Sequence, residues 1–213
     1  MALPLETFLE NWLSQSIGLP MLVSVCSSPA ELGDLTMSEL GQFGQIRSTA
    51  RADSWLIGRA ALKKICLRSG LSPETSAIGF PNKQISLSHS GGTAVAIFCR
   101  SEKTSGIGID FEIARPVRRE SARFFLIDCE REYIEQLGDE SICEELIRLW
   151  TVKEAIFKAD PDNSSTGLRE YCIAQPNAFS GIASIGGGRS KTFQYASVVL
   201  DSVVVSGAVT LVN

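Results

Sequence analysis

The sequence predicts an α+β protein in which antiparallel sheets pack against helices. Short apolar or alternating runs bounded by turn residues occur in the middle and at the end of the chain, as expected for strands. Segments with helical periodicity lie between those runs. The 213 residues contain no internal repeat and no long linker, so we expect one compact domain or two small ones.

The first third of the chain is predicted to contain one strand and two helices. The apolar run at 21–28 predicts the strand, and the segment after it predicts a helix with Asp34 or Thr36 as the N-cap. A stronger helical pattern covers 53–69, and Gly70 is expected to end it.

The central part of the chain reads as strands. Two or three are predicted within 76–99, because Pro81-Asn82 and Gly91-Gly92 break that stretch, and "SGIGIDFE" at 105–112 predicts the next one.

The second half turns helical and then returns to strands. Helical patterns cover about 118–160, and the polar loop "DPDNSSTG" at 160–167 follows them. The tail is predicted to form strands at 171–174, 192–200 and 202–212, with a glycine-rich connection at 181–190.

Composition narrows the range of functions. With 44% hydrophobic and 21% charged residues, the chain resembles an ordinary soluble globular protein. The net charge of −4 provides no general positive field for nucleic acid or anionic membranes. We therefore expect neither nucleic acid nor membrane as a partner.

The cysteines and the N-terminal segment bear on localisation. The six cysteines are scattered without a CxxC pair, which favours free thiols in a reducing compartment. The first 20 residues contain acidic and polar groups and match neither a signal peptide nor a membrane-spanning helix. These features predict a cytoplasmic protein.

Two acidic residues stand near the end of the apolar strand "GIGIDFE". On a strand, residues i and i+2 face the same side, so Asp110 and Glu112 project together and Phe111 points the other way. Two adjacent carboxylates repel each other unless a positive charge lies between them, and oxygen ligands suit a hard divalent cation. The alternative interpretation is a strand end that opens into solvent.

The long helical segment supplies a third acid. At about 100° per residue, Thr151, Glu154 and Lys158 form a narrow polar stripe on an otherwise mostly apolar helix. Such a helix is buried, so Glu154 is expected to face a pocket wall. An ordinary i,i+4 pair between Glu154 and Lys158 is the alternative.

The only histidine, His89, lies in "SLSHSGG" among small hydroxyl residues and glycines. Hydroxyl groups, backbone amides and an imidazole suit phosphate oxygens. One histidine cannot form a two-histidine zinc site, and no GxSxG motif indicates a serine hydrolase. A structural histidine in a turn is the alternative.

Taken together, these motifs resemble those of the 4'-phosphopantetheinyl transferases. The resemblance rests on "SLSHSGG" (86–92), "GIGIDFE" (106–112) and "LWTVKEAIFKA" (149–159), in this order and at these separations, together with "SWLIGRAALKK" (54–64). It covers roughly residues 50–170 and is closest to the longer, monomeric type that activates surfactin synthetase.

The resemblance implies both an activity and a fold. Proteins of this family transfer phosphopantetheine from coenzyme A to a serine of an acyl, peptidyl or aryl carrier protein, release 3',5'-ADP and use Mg²⁺, with Mn²⁺ as a possible substitute. The implied fold has two similar α+β halves related by a pseudo-two-fold axis, with coenzyme A between them. In this chain the halves would be residues 1–105, with the histidine motif, and 106–213, with the carboxylates.

The resemblance also assigns roles to individual residues. The implied metal ligands are Asp110, Glu112 and Glu154. Ser88 and His89 would contact the phosphates of coenzyme A, and Lys158 would lie near the pyrophosphate or the attacking hydroxyl. Glu154 is the candidate general base, directly or through a bound water, while Glu130 and Glu132 both fit the acid of the family's "FF…E" pattern. Candidates for the 3'-phosphate or the diphosphate are Arg51, Arg59 and Lys83.

Three family features differ in this chain. "PNKQ" (81–84) stands where the family has a "GKP"-like run. Lys83 is therefore matched to the family's lysine by a segment that only partly resembles the family's. The loop at 160–167 replaces a short "GKGL"-like turn. The "FF…E" segment has one extra residue, which is why two glutamates fit it.

A basic segment suggests where a carrier protein docks. Residues 114–123, "ARPVRRESAR", carry four arginines against one glutamate in a chain that is acidic overall; these are Arg115, Arg118, Arg119 and Arg123. An acidic recognition helix of a carrier would be attracted to such a patch. The alternative is a solvated start of a helix.

Two other functions remain open from the sequence. One is a different Mg²⁺-dependent enzyme that cleaves a nucleotide diphosphate without a carrier protein. The other is a non-catalytic relative that binds coenzyme A.

Overall fold

The computed structural model describes residues 4–185 and 191–212 and has the predicted α+β architecture, with antiparallel sheets and packed helices. The helices are α1 (Leu5–Ile17), α2 (Met37–Phe43), α3 (Thr49–Arg68), α4 (Asp128–Glu135) and α5 (Asp139–Ala159). The strands are β1 (Leu22–Cys26), β2 (Ile85–Ser90), β3 (Thr93–Phe98), β4 (Thr104–Ile113), β5 (Tyr171–Ile173), β6 (Ser180–Ile185), β7 (Thr192–Leu200) and β8 (Val203–Leu211).

The strands form two separate antiparallel sheets. The first has the order β1-β3-β2, and the second has the order β4-β8-β7-β6-β5. The three-stranded sheet uses residues 22–98 and the five-stranded sheet uses residues 104–211. The chain passes from the first sheet to the second at residues 99–103. The division into halves at residue 105 and the pseudo-two-fold relation between them stay predictions.

Helix α1 was not among the predicted elements, although its apolar residues have helical spacing. Leu9, Leu13 and Ile17 are buried in one cluster with residues from both sheets, including Val95 and Val209. Because this cluster contains strands of both sheets, α1 helps to hold the two sheets together.

Several element boundaries differ from the predictions. Helix α3 begins at Thr49 because the Ser48 hydroxyl caps it, four residues before the predicted start. The "AIGF" run at 77–80 forms no strand, so only two strands lie within 76–99.

At the second helix, Thr36 is the N-cap and forms a capping box with Glu39. Part of the glycine-rich connection is strand β6, whereas residues 186–190 of it lie outside the described residues.

Helix α5 lies directly on strand β4 because two glycines leave room for its backbone. A Cβ atom at Gly106 would lie 2.0 Å from the Ala159 carbonyl oxygen, and one at Gly108 would lie 1.9 Å from the Ala155 carbonyl oxygen. Both distances are far below van der Waals contact. The glycines of "GIGIDFE" therefore allow α5 to bring its polar stripe onto the acidic end of the strand.

Within residues 4–185 and 191–212, no helix has the length and apolar character needed to cross a membrane.

Candidate functional site

A cleft of about 410 Å³ lies where β2, β4 and α5 meet. Its walls contain six of the predicted site residues: Ser88, His89, Asp110, Glu112, Glu154 and Lys158. The remaining lining residues are Phe80, Leu87 and Trp150. The fold thus brings together in one cleft three motifs that are far apart in the sequence.

Asp110 is the most enclosed acid of the cleft, with 5% of its surface exposed. Its Oδ1 accepts hydrogen bonds from the Ser88 hydroxyl at 2.8 Å and from the Lys158 ammonium at 2.6 Å. Its Oδ2 is buried and has no hydrogen-bond partner within the described residues. A buried carboxylate oxygen without a partner is costly, so this atom indicates a missing donor or cation.

Lys158 joins β2, β4 and α5 at the base of the cleft. Besides Asp110, its ammonium donates to the Ser88 hydroxyl at 3.2 Å and to the Ile109 carbonyl oxygen at 3.1 Å. The i,i+4 ion pair with Glu154, which the sequence left open, is not among the ion pairs of the described residues. Lys158 is therefore bound to Asp110 instead.

Glu154 lies half-buried on the cleft wall, and its pKa is raised above the usual range. Burial is the largest cause, and the charges of Asp110 and Glu112 add to it, while Lys158 opposes the shift. The carboxylate is thus a stronger proton acceptor than an exposed glutamate.

We expect Glu154→Gln to raise the stability of the metal-free protein near pH 7.5 and to leave it unchanged below about pH 4. The folded-state pKa is raised, so ionisation costs the folded state more as the pH rises above the unfolded value of 4.5. Glutamine removes that cost. Denaturant unfolding in EDTA at both pH values measures the effect, and an equal stability difference at the two pH values would contradict it.

Glu112 lies on the same face of β4 as Asp110, as the strand period predicted. Its Oε2 accepts a hydrogen bond from the Ser90 hydroxyl at 2.9 Å. Both acids therefore face the cleft and are held by serines of β2, and the strand does not simply end in solvent.

The donor chemistry of the cleft fits a hard divalent cation. Asp110, Glu112 and Glu154 supply only carboxylate oxygens, and the buried Asp110 Oδ2 lacks a partner. Among the described residues, however, no three His, Cys, Asp or Glu side chains are already arranged to hold a metal. The ligand set is therefore present in one cleft without being assembled around a centre.

The three basic residues predicted to bind coenzyme A do not line this cleft. Lys83 is exposed. Arg51 lines a different pocket of about 530 Å³, together with Arg47 and Trp55.

The Arg59 guanidinium is held by contacts with other residues of the protein. Its guanidinium donates to the carbonyl oxygen of Thr75 at 2.8 Å and to the Thr75 hydroxyl at 3.0 Å, and it stacks 4.5 Å from the Trp55 ring centroid. Burial lowers its pKa.

The two other candidate bases differ sharply in environment. Glu130 is fully buried and pairs with the equally buried Lys153 at 2.6 Å, and its oxygens also accept from the Ile127 and Ile173 amides. Glu132 is exposed. Neither lines the cleft, so Glu154 is the one of the three candidate glutamates that does.

Sequence reasoning missed some residues of this region. Trp150 and Phe80 line the cleft, and Arg47 accompanies Arg51. Trp150 lies within the quoted segment 149–159 without an assigned role, whereas Phe80 and Arg47 lie outside the quoted motifs. The role of Ser90 beside Glu112 was visible in principle, because "SLSHS" places its serines at alternate positions of a strand.

The second half of the chain matches a known family model. A family model described as the 4'-phosphopantetheinyl transferase superfamily matches residues 106–205, just under half of the chain. The matched stretch contains Asp110, Glu112, Glu154 and Lys158. The match does not distinguish the surfactin-synthetase-activating type, which stays a prediction.

Among solved structures, the chain is similar to the holo-(acyl-carrier-protein) synthase of Thermotoga maritima, with 15% sequence identity and a TM-score of 0.42. The alignment covers 50% of this chain and 63% of that chain, less than two thirds of its length. A search of curated proteins found no match.

Proposed function

We propose that this protein transfers the 4'-phosphopantetheine group from coenzyme A to a serine of an apo carrier protein and releases 3',5'-ADP. The observation that carries this proposal is the convergence of Asp110, Glu112, Glu154 and Lys158 with the "SLSHS" strand in one cleft. The family match over residues 106–205 supports the same reaction class.

The reaction is a phosphoryl-group transfer, so positioning and charge stabilisation account for most of the catalysis. A new bond joins the carrier serine oxygen to the phosphorus that bears pantetheine. The bond from that phosphorus to the oxygen of 3',5'-ADP breaks. The serine proton must pass to a base, and the negative charge on the departing phosphate must be stabilised.

The residues of the cleft suit these tasks. Ser88 and His89 line the cleft and would contact the phosphates, and Lys158 supplies positive charge at the base of the cleft. We assign Glu154 as the proton acceptor, directly or through water, since it lines the cleft and its pKa is raised in the metal-free protein. Asp110, Glu112 and Glu154 would hold Mg²⁺ or Mn²⁺. When bound, such a cation would neutralise negative charge on the diphosphate.

Arg51 and Arg47 extend the proposal to the nucleotide end of coenzyme A. They lie beside Trp55 in a pocket separate from the cleft, and two guanidinium groups beside an aromatic ring suit a phosphorylated nucleoside. We retain Lys83 as a candidate at the surface. Arg59 also stays a candidate, and its guanidinium would have to bind a phosphate beside its contacts with Thr75.

A product assay separates this proposal from a diphosphate-cleaving hydrolase. The protein is incubated with coenzyme A and Mg²⁺, with and without apo carrier protein, and 3',5'-ADP is quantified by chromatography. A transferase releases 3',5'-ADP only when an apo carrier is present. Equal release without a carrier would favour the hydrolase, and coenzyme A binding without release would favour the non-catalytic alternative.

The carrier is proposed to dock at the basic segment after β4. Arg115, Arg118, Arg119 and Arg123 are all exposed there, and Arg115 lines an apolar groove that shares Glu112 and Trp150 with the cleft. A carrier bound at these arginines would therefore have its serine close to the reaction site.

The double substitution Arg118→Glu/Arg119→Glu is expected to raise KM for the carrier protein and to leave KM for coenzyme A unchanged. The reason is that reversed charge repels an acidic partner but does not alter the cleft. Steady-state kinetics with each substrate varied in turn measure the effect at low ionic strength. An unchanged carrier KM would remove this docking surface from the proposal.

A further inference from the structure

The serines of β2 alternate along the strand and all bond to β4. This arrangement follows from the period of two, which puts residues 86, 88 and 90 on one face. Ser86 Oγ accepts from the Ile109 amide at 3.0 Å, Ser88 Oγ donates to Asp110 Oδ1 at 2.8 Å, and Ser90 Oγ donates to Glu112 Oε2 at 2.9 Å.

We infer that Ser90 is a positioning residue that orients the Glu112 carboxylate for a divalent cation shared with Asp110. This inference rests on the proposed function, since the cation belongs to that function. Glu112 lines the cleft, whereas Ser90 is not among the lining residues, so Ser90 acts through Glu112.

The physical reason is the freedom of a half-buried glutamate. Without a partner, its side chain samples several rotamers, and binding a cation requires fixing one of them. A hydrogen bond at 2.9 Å from a strand residue fixes the carboxylate before the cation arrives. Partners of metal-ligating groups typically change metal affinity by about 10–100-fold when they are removed.

The same bonds connect the cation site to both sheets. Ser90 belongs to the three-stranded sheet, whereas Glu112 belongs to the five-stranded sheet. Cation affinity therefore depends on how the two sheets pack together. The hydrogen bond from the Ser90 hydroxyl to Glu112 is the contact through which it does so.

The test measures Mn²⁺ binding to the full-length, metal-free protein by electron paramagnetic resonance, together with the Mg²⁺ dependence of carrier modification. We expect Ser90→Ala to weaken Mn²⁺ binding about 10–100-fold and to raise the Mg²⁺ concentration needed for half-maximal rate. The kcat at saturating Mg²⁺ should stay unchanged, because Ser90 touches no reacting atom.

Two variants serve as controls. Ser90→Thr keeps a hydroxyl on the strand and should restore wild-type affinity. Ser72→Ala removes an exposed hydroxyl that accepts from the Glu74 amide at 3.2 Å and has no part in the contacts between β2 and β4, so it should change neither measurement.

Equal Mn²⁺ affinity in Ser90→Ala and wild type would overturn the inference, as would a wild-type protein that binds no Mn²⁺. A loss in Ser90→Thr equal to that in Ser90→Ala would also overturn it. If affinity shifts as expected but wild type modifies no carrier, the positioning role stands and the proposed function fails.

Discussion

Replacing Asp110 with Asn is expected to lower kcat for carrier modification by roughly 10³-fold. The substitution preserves size but removes the charge that pairs with Lys158 at 2.6 Å. The amide of asparagine has only one oxygen, and its NH2 group cannot bind a cation. The substitution therefore removes one of the two carboxylate oxygens, of which the buried Oδ2 is the better suited to a cation. We therefore expect Lys158 to lose its fixed position and the affinity for the cation to fall.

The measurement for Asp110→Asn is steady-state carrier modification at saturating coenzyme A and Mg²⁺. Asp34→Asn makes the same chemical change at an exposed position and should keep full activity. Thermal unfolding of both variants establishes that they fold. A folded Asp110→Asn variant with wild-type kcat would exclude Asp110 from the site.

The second large effect concerns the contact between helix and strand. We expect Gly108→Ala to lower the free energy of unfolding by about 3 kcal/mol, because overpacking against a rigid backbone forces a shift. The added methyl group would lie 1.9 Å from the Ala155 carbonyl oxygen. Since Glu154 and Lys158 belong to the displaced helix, kcat should fall as well.

Gly33→Ala is the matched control for that experiment. A Cβ atom at Gly33 meets no atom within 4 Å, so its substitution should cost little stability. Denaturant unfolding of the two variants gives the comparison. Equal stability of Gly108→Ala and Gly33→Ala would show that α5 does not rest on β4 as described.

The local geometry of the acids could be predicted from the sequence, whereas their partners could not. The strand period placed Asp110 and Glu112 on one face, and the helical period placed Glu154 beside Lys158. Only the fold shows that Lys158 reaches across to Asp110, because that contact depends on how closely α5 approaches β4. Gly106 and Gly108 permit this approach, and the sequence pattern marks them only as part of a strand.

Burial distinguishes the environments of candidates that the sequence left equal. Glu130 and Glu132 both fitted one motif, but a buried ion pair with Lys153 occupies Glu130, and Glu132 is exposed. Arg59 and Arg51 stand on the same helix and have the same charge. Their environments differ because Thr75, which is distant in sequence, packs against only one of them in the described contacts.

The central claim is tested most directly by intact-mass spectrometry of several apo carrier proteins incubated with this protein, coenzyme A and Mg²⁺, with an EDTA control. We predict a mass gain of one phosphopantetheine group on at least one carrier, present with Mg²⁺ and absent with EDTA. The relative rates among acyl, peptidyl and aryl carriers would identify the preferred partner. No gain on any carrier, from protein shown to be folded, would contradict the proposed activity.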